Sequence, residues 1–182
     1  KGFRVGVLSQ PNWKDADAFA VFGAPRIAWL VSAGNLDSML NNYTAHKRIR
    51  SDDQYSPNGE GGLRPDYATV VYGQRCRQVA KEVPIIAGGV EVSMRRLAHY
   101  DYWSDKIRRS MILDSRVDLV VYGMGEKPLL EIVSRLKSGQ RIDEIRGVRG
   151  TGYVVGKRGR PHFVPDNVPL EEDWIEHLPD GV

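Results

Sequence analysis

The sequence predicts an α/β fold, an open flavodoxin-like or Rossmann-like parallel sheet with helices on both faces. Two stretches carry this prediction, because each has the pattern of a short apolar strand, a glycine turn and a helix. They are residues 83–98, which open with VPIIAGG, and residues 117–137, which open with VDLVVYGMG. Short runs rich in β-branched residues are typical of strands buried on both faces. Consecutive units of this kind predict neighbouring parallel strands, so both glycine turns should lie at one edge of the sheet.

Three elements are predicted before the first of these units. Residues 3–8 have a strand pattern, residues 15–22 predict a short helix, and residues 26–33 (RIAWLVSA) predict a strand. A loop at 34–38 and a helical turn at 39–43 follow. Because a core strand stands at the first residues, we expect that an earlier β–α unit is missing from this chain.

A long polar loop is predicted over residues 44–65, and such loops are usually functional or mobile. The next segment, residues 66–81, predicts a helix. Between the two central units, Ser104 is predicted to cap a helix over residues 105–113. The helix at 66–81 should place five side chains inward: Ala68, Val71, Tyr72, Val79 and Ala80.

The helices after the two glycine turns are predicted to be amphipathic, and an apolar face normally packs on the core. Residues 90–98 place Val90, Met94 and Leu97 on one face. Residues 126–137 have proline in the first turn and Gly139 beyond the last, which are start and stop signals. The apolar face of this second helix consists of Leu129, Ile132, Val133 and Leu136.

The C-terminal part predicts a hairpin and a linker. Residues 152–156 should form a strand, 157–160 a turn, and 162–164 the pairing strand, before an acidic, proline-rich tail. The predicted organisation is therefore an α/β domain at 1–156, followed by the hairpin end and linker at 157–182.

Composition narrows the class of protein. The 182 residues suffice for one α/β domain, with 41% hydrophobic and 27% charged residues. The net charge of +3 does not by itself indicate a nucleic-acid partner. The single cysteine, Cys76, excludes an internal disulfide or a cysteine-held metal cluster, and it favours the cytoplasm. The sequence contains no apolar run long enough to span a membrane.

Several segments resemble known families. The strings PIIAGG and DLVVYGMGEKPLLEIVSRL resemble the cobalamin-binding-like domain that precedes radical SAM domains, where one strand ends in Gly-Gly and the next in Gly-x-Gly-Glu. Three longer strings are similar to the YgiQ-type radical SAM proteins, a largely uncharacterised family. They are SAGNLDSMLNNYTAHK, NGEGGLRPDYATVVYGQRCR and RRLAHYDYWSDKIRRSMILDS, and the later string IDEIRGVRGTGYVV is similar to the hairpin that follows in such proteins. The resemblance covers nearly the whole chain, from residue 2 to about residue 155.

The resemblance implies that the full-length protein is an enzyme that binds a [4Fe–4S] cluster through three spaced cysteines and cleaves S-adenosylmethionine. That motif lies downstream in the family, so this chain should carry no catalytic residue and should be inactive alone. Cobalamin is not expected, because the Asp-x-His-x-x-Gly motif is absent and no histidine stands in that context. The histidines are His46, His99, His162 and His177.

Two groups of candidate ligand-binding residues lie at predicted carboxyl ends of strands. The first is Asn35, Asp37 and Ser38, which could instead cap the following helical turn. The second belongs to the two glycine turns, where the alternative is tight turns that allow close packing. Its members are Gly88, Gly89, Glu91, Gly123, Gly125 and Glu126.

Two further groups have open interpretations. The string His99-Tyr100-Asp101-Tyr102-Trp103 is either a packed aromatic corner, with Asp101 accepting hydrogen bonds, or a wall shared with the radical SAM domain. Four arginines could bind phosphate or RNA, although such charges usually form a solvated face. These are Arg95, Arg96, Arg108 and Arg109.

The function predicted from these observations is an accessory domain of a radical SAM iron–sulfur enzyme, which covers or positions the substrate. Its partner would be the radical SAM domain of the same polypeptide. One alternative is a non-catalytic module for a nucleotide-like or phosphorylated ligand. Another is an RNA-facing domain of a modification enzyme, which depends on the arginines alone.

Overall fold

A computed structural model describes residues 2–155 and shows a four-stranded sheet with helices on both faces. Three strands are parallel neighbours, and a short fourth strand pairs antiparallel at the edge. This confirms the predicted α/β class and the mostly parallel sheet. The sheet has the order β1 (Trp29–Val31), β2 (Ile85–Ala87), β5 (Leu119–Val121) and β6 (Thr151–Gly152), and a separate hairpin consists of β3 (His99–Asp101) and β4 (Lys106–Arg108).

Five α-helices connect these strands. They are α1 (Ser38–Asn42), α2 (Ala68–Val79), α3 (Val90–Arg95), α4 (Met111–Ser115) and α5 (Glu126–Lys137). Single 3-10 turns lie at Asp17–Phe19, Pro57–Gly59 and Ile142–Glu144. Within residues 2–155, each helix is too short or too polar to cross a membrane.

The side chains of β2 divide between two apolar clusters because successive residues of a strand point to opposite faces. Ile85 and Ala87 pack with α2 in one cluster, whereas Ile86 packs with Ile132 of α5 in the other. All three β2 residues are buried, as predicted for a strand covered on both faces. The sheet therefore has a helix layer on each side.

Helix α5 matches its prediction in extent and orientation. Its apolar face, with Leu129, Val133 and Leu136 around Ile132, packs against the second cluster. Beyond its last turn, Gly139 has φ 93° and donates its N–H to Leu136 O. A glycine in this left-handed conformation ends the helix at little steric cost.

The predicted strand at 3–8 is wrong. These residues belong to no strand, and Val5 and Val7 are 71% and 76% exposed. Only the end of the segment reaches the core, where Leu8 packs on the first cluster. An alternating pattern forms a strand only when a neighbouring backbone pairs with it, and no such neighbour lies beside this segment in the part of the chain that the structure describes.

Two predicted helices are also wrong in extent. The helix at 15–22 is reduced to the 3-10 turn at Asp17–Phe19. The helix at 105–113 is replaced by the β3–β4 hairpin, and α4 begins only at Met111. Ser104 does not cap a helix, since its N–H and hydroxyl both donate to Asp101. Asp105 then takes φ 53°, which turns the chain back.

The C-terminal strand differs from its prediction. β6 is shorter than residues 152–156 and pairs with β5, with Thr151 opposite Val121. The predicted partner at 162–164 and the turn before it lie outside the described residues. The helix predicted at 66–81 is confirmed as α2, with Ala68 and Tyr72 buried.

Candidate functional site

The two glycine turns lie side by side at the carboxyl edge of the sheet, as predicted. Ser93 of α3 connects them: its hydroxyl donates to Gly89 O at 2.9 Å and accepts from the N–H of Gly123 at 3.2 Å. Gly125 follows at the start of α5. In open α/β sheets, ligands bind at this edge because the turns there expose backbone groups.

Gly89 is required by its conformation and by its neighbours. Its φ of 94° is one that residues with a Cβ rarely adopt. A Cβ at this position would also lie 2.8 Å from Ser32 Oγ, at the end of β1. The turn after β2 therefore approaches the β1 loop more closely than any side chain allows.

Beneath this edge lies a buried ion pair between Asp37 and Arg95. The Arg95 guanidinium donates to both carboxylate oxygens, with Nε to Oδ2 at 2.8 Å and Nη2 to Oδ1 at 2.9 Å. Asp37 Oδ1 also accepts the N–H groups of Met39 and Leu40, and so caps α1. This forked geometry fixes the loop after β1 to α3.

Arg95 also contacts Asp101, the last residue of β3 in the hairpin. Arg95 Nη1 lies 3.5 Å from Asp101 Oδ1, and the Tyr67 hydroxyl donates to Oδ2 at 2.7 Å. Burial alone would raise the pKa of Asp101, but hydrogen bonds from Ser104 and Tyr67 and the Arg95 charge together lower it. Asp101 is therefore a buried carboxylate that anchors β3.

Tyr67 lies between two guanidinium groups. The carbon of Arg95 is 5.2 Å from its ring centroid, and that of Arg108 is 4.5 Å away. Burial, with the hydrogen bond to Asp101, raises the pKa of Tyr67 to about 12. The phenol is thus a hydrogen-bond donor and not an acid near neutral pH.

Glu91 forms a second buried cluster, between three helix starts. Its carboxylate accepts Ser38 N at 2.8 Å, Ser38 Oγ at 2.6 Å and Thr69 N at 2.9 Å. Ser38 Oγ in turn accepts the N–H of Ala68. Because helix N-termini attract negative charge, Glu91 fills the position that an external anion would otherwise occupy at α2.

The long loop at 44–65 is fixed to the same edge. Asp53 pairs with Arg64 through two bonds of 2.8 and 2.6 Å, and Arg64 also donates to Ala33 O at the end of β1. The bond from Arg64 lowers the pKa of Asp53 far below its usual range. The loop is therefore held by a buried ion pair.

Some side chains of the hairpin pack against neighbouring residues, and others are exposed to solvent. Trp103 packs against Tyr43 and Tyr102, with ring centroids 5.2 and 5.3 Å apart, and the Tyr102 hydroxyl donates to Ala45 O. His99 is half-buried, whereas Tyr100 is 58% exposed. The aromatic-corner interpretation accounts for Trp103 and Asp101, because both hold neighbouring segments.

Some of the candidate ligand residues are buried, and others lie at the surface. Asp37, Ser38 and Glu91 are at most 1% exposed and are used internally. Asp37 caps α1, which agrees with the capping alternative, whereas the Ser38 hydroxyl donates to Glu91 and accepts from Ala68 of α2. The members left at the surface of the edge or half-buried there are Asn35, Gly88, Gly89, Gly123, Gly125 and Glu126.

The four arginines proposed for phosphate or RNA have partners within the chain. Arg95 is buried against Asp37, and Arg109 pairs with Asp114 at 2.7 Å. Arg96 lies over the Tyr122 ring and Arg108 over Tyr67. Only Arg95 is removed from the surface, whereas Arg96 and Arg109 are exposed.

Sequence reasoning missed Ser93, Tyr67 and the Asp53–Arg64 pair. The spacing of Glu91 and Arg95, four residues apart, places both on one face of α3, but it does not show that this face is buried. No local signal indicates Asp53 and Arg64, which are eleven residues apart in an irregular loop.

The described residues do not fit an iron–sulfur cluster. Such a cluster needs several thiolates, but Cys76 is the only cysteine, and burial raises the pKa of its thiol to about 12. Within residues 2–155, no three histidine, cysteine, aspartate or glutamate side chains converge as metal ligands. We therefore derive no chemical step through a cluster in this chain.

Comparison with known proteins gives the family. The family model described as Radical SAM N-terminal matches residues 1–175, whereas no solved structure matches. A UPF0313 protein of Rhodopseudomonas palustris is 54% identical over the whole chain, which covers 26% of that relative. The UPF0313 proteins of Vibrio cholerae and Escherichia coli, the latter named YgiQ, are each 52% identical over 94% and 85% of the chain, and 22% and 21% of their own lengths. The chain thus spans about a quarter of these relatives, and it belongs to the Radical SAM N-terminal family as the N-terminal part of UPF0313 proteins.

Proposed function

We propose that this chain is the accessory domain of a radical SAM enzyme, and that it covers or positions the substrate of a catalytic domain in the same polypeptide. The observation that carries the proposal is the carboxyl edge, where Ser93 joins two glycine turns and Gly89 and Gly123 are exposed. A surface of this kind admits close approach by another molecule.

The charged groups beneath the edge support positioning over catalysis. Asp37, Glu91 and Asp101 are all buried and bonded within the chain, so none of them is presented to a substrate. They hold the loop after β1, α3 and the hairpin in fixed relative positions. A rigid support of this kind is what a positioning surface needs.

The catalytic chemistry would reside in the remainder of the polypeptide. The relatives extend to about four times the length of this chain, and the family name associates it with radical SAM proteins. The full-length protein would hold the [4Fe–4S] cluster and S-adenosylmethionine outside the residues described here. Cys76 would take no part in cluster binding.

The phosphate-ligand alternative receives less support from the edge. Glu91 occupies the N-terminus of α2, and Glu126 is the first residue of α5. Two carboxylates at these positions repel an added anion. Titration of the chain with nucleotides should therefore give no saturable heat, and a saturable signal would favour the alternative.

The test uses the full-length protein after anaerobic reconstitution. It should show an iron–sulfur spectrum and convert S-adenosylmethionine to 5′-deoxyadenosine, and Cys76→Ala should leave the iron content unchanged. Gly88→Ala places a methyl group at the edge without a steric conflict, because a Cβ there lies 3.5 Å from Val121 O. This variant should lower turnover by roughly tenfold or more at unchanged iron content. A colourless full-length protein that does not cleave S-adenosylmethionine would rule out the proposal. Unaltered turnover of the Gly88 variant would show that the carboxyl edge takes no part in positioning the substrate.

A further inference from the structure

Helix α3 buries two charged side chains beside the apolar Val92 and leaves other apolar side chains exposed. Its buried residues include Glu91 and Arg95, which are 1% and 8% exposed. Its apolar residues Val90 and Met94, with Leu97 just beyond, are 46%, 57% and 66% exposed. The three predicted apolar residues are therefore exposed, and the helix predicted at 90–98 ends at Arg95.

The two charged side chains of α3 are buried because each has specific partners in the interior. Arg95 binds Asp37, and Glu91 binds helix N–H groups, so both charges are satisfied inside. Their positions on one face of the helix leave Val90 and Met94 on the outer side. Single exposed apolar side chains are common, but two on a short helix, with the exposed Leu97 just beyond its end, indicate a partner.

A fourth exposed apolar side chain lies on the glycine turn that is bonded to α3. Met124 follows Gly123, whose N–H is bonded to Ser93 of α3, and it is 84% exposed. We name Val90, Met94, Leu97 and Met124 the outer strip. Val90 and Met124 each follow directly after a glycine of the carboxyl edge, so the strip borders that edge.

We infer that the outer strip is the docking surface for the polypeptide that follows this domain in the full-length protein. The assignment of that polypeptide as the catalytic domain depends on the function proposed above. Whatever covers the glycine edge must also reach the strip, because the two are continuous. The relatives contain the polypeptide that would cover the outer strip, since roughly three quarters of their length lies outside this chain.

The size of the strip favours a tethered occupant over a separate protein. The four side chains are 46% to 84% exposed and present on the order of 400 Å² of apolar surface, whereas a separate partner usually needs roughly 800 Å² on each side. A domain in the same polypeptide binds at an effective concentration in the ~mM range, so a small contact is enough.

Methionine oxidation by microsecond hydroxyl-radical footprinting of the full-length protein tests this inference. Met94 and Met124 should react as slowly as Met39 and Met111, each of which is 3% exposed. If the strip is uncovered, Met94 and Met124 should react roughly tenfold faster than those two, and the inference is overturned. Protection that is lost on about hundredfold dilution would assign the strip to a second copy of the chain, which also overturns it.

Two variants sharpen the result. Leu97→Glu should raise the oxidation of Met94 and Met124 severalfold, because a charge would sit in the apolar contact. Val21→Glu is the matched control, since Val21 is also 66% exposed but lies outside the strip, and it should leave both rates unchanged. Equal rates in wild type and Leu97→Glu would contradict docking at this face.

Iron content and S-adenosylmethionine cleavage are measured on the same samples. Cleavage together with freely oxidised Met94 and Met124 overturns the docking inference alone. Protected methionines in a protein that neither binds iron nor cleaves S-adenosylmethionine support docking, and they reject the proposed radical function.

Discussion

Helices α3 and α5 both follow a glycine turn at the same edge of the sheet, yet only α3 buries charged side chains. α5 buries Ile132 and leaves Glu126 and Lys137 exposed, whereas α3 buries Glu91 and Arg95 together with Val92 and exposes Met94. An apolar stripe therefore predicts the buried face of a helix only where no charged pair competes for the interior. The comparison also separates a helix that completes the core from one whose outer face is available for binding.

The energetics of the two helices differ accordingly. Burial of apolar surface around Ile132 stabilises the fold in proportion to the area removed from water. A buried charge stabilises only if its partner is present, because its desolvation is otherwise uncompensated. Helix α3 should thus respond sharply to loss of one charge and hardly at all to changes on its apolar face.

The largest effect is expected for Arg95→Met. This change leaves Asp37 buried without its cation and should lower the free energy of unfolding by about 4 kcal/mol. Urea unfolding of the chain measures it. The double variant Asp37→Leu, Arg95→Met should recover part of the loss, and a cost below about 1 kcal/mol for the single variant would contradict the role of the pair.

The next largest effect is expected on α5. Ile132→Ala creates a cavity at a fully buried position and should cost about 3 kcal/mol in the same measurement. Leu130, on the same helix and 38% exposed, is the control, and its replacement by alanine should cost less than about 1 kcal/mol. Equal costs would mean that α5 does not bury the face we describe.

A smaller effect is expected for Glu91→Gln. The amide keeps the size of the side chain but loses the charge that three hydrogen bonds and the helix ends stabilise, so unfolding should require about 2 kcal/mol less. Glu126→Gln, at an exposed helix start, should change stability by less than about 0.5 kcal/mol. Similar changes in the free energy of unfolding for the two variants would show that the burial of Glu91 does not contribute to stability.

Acid should weaken the charged interior before the apolar one. The pKa values of Asp53 and Asp101 lie below their ordinary value of 3.8 in the folded chain. Their stabilisation is therefore fully present above about pH 4 and is lost as the pH falls towards the folded-state pKa values. Thermal unfolding between about pH 6 and pH 2 should show a falling midpoint, and Asp53→Asn should flatten that fall.

The smallest effect is expected on the outer face of α3. Met94→Lys and Leu97→Lys should each change the stability of the chain by less than about 0.5 kcal/mol, because both side chains already contact solvent. Urea unfolding should give both variants nearly the same free energy of unfolding as the wild type. A loss above about 2 kcal/mol would show that these residues belong to the core after all.

The sequence was sufficient for the central sheet and for α5, because their signals are local. Apolar runs, glycine turns and helix stop signals specify β2, β5 and α5 without reference to distant residues. The strand predicted at 3–8 failed because pairing depends on a neighbouring backbone that an alternating pattern does not reveal.

Less of the candidate site was predictable. The position of both glycine turns followed from parallel pairing, but the fate of Glu91 and Arg95 did not. Their partners lie 22 to 58 residues away along the chain, at Thr69, Ser38 and Asp37. Charged residues are assigned to solvent by default, so a buried pair between distant segments can be recognised only from coordinates.

The most direct test of the outer strip is an experimental structure of the full-length protein. We predict apolar side chains from beyond residue 182 within about 4.5 Å of Met94 and Leu97, with the glycine turns facing the catalytic centre. Solvent against Met94 and Leu97, or glycine turns directed away from that centre, would contradict the account.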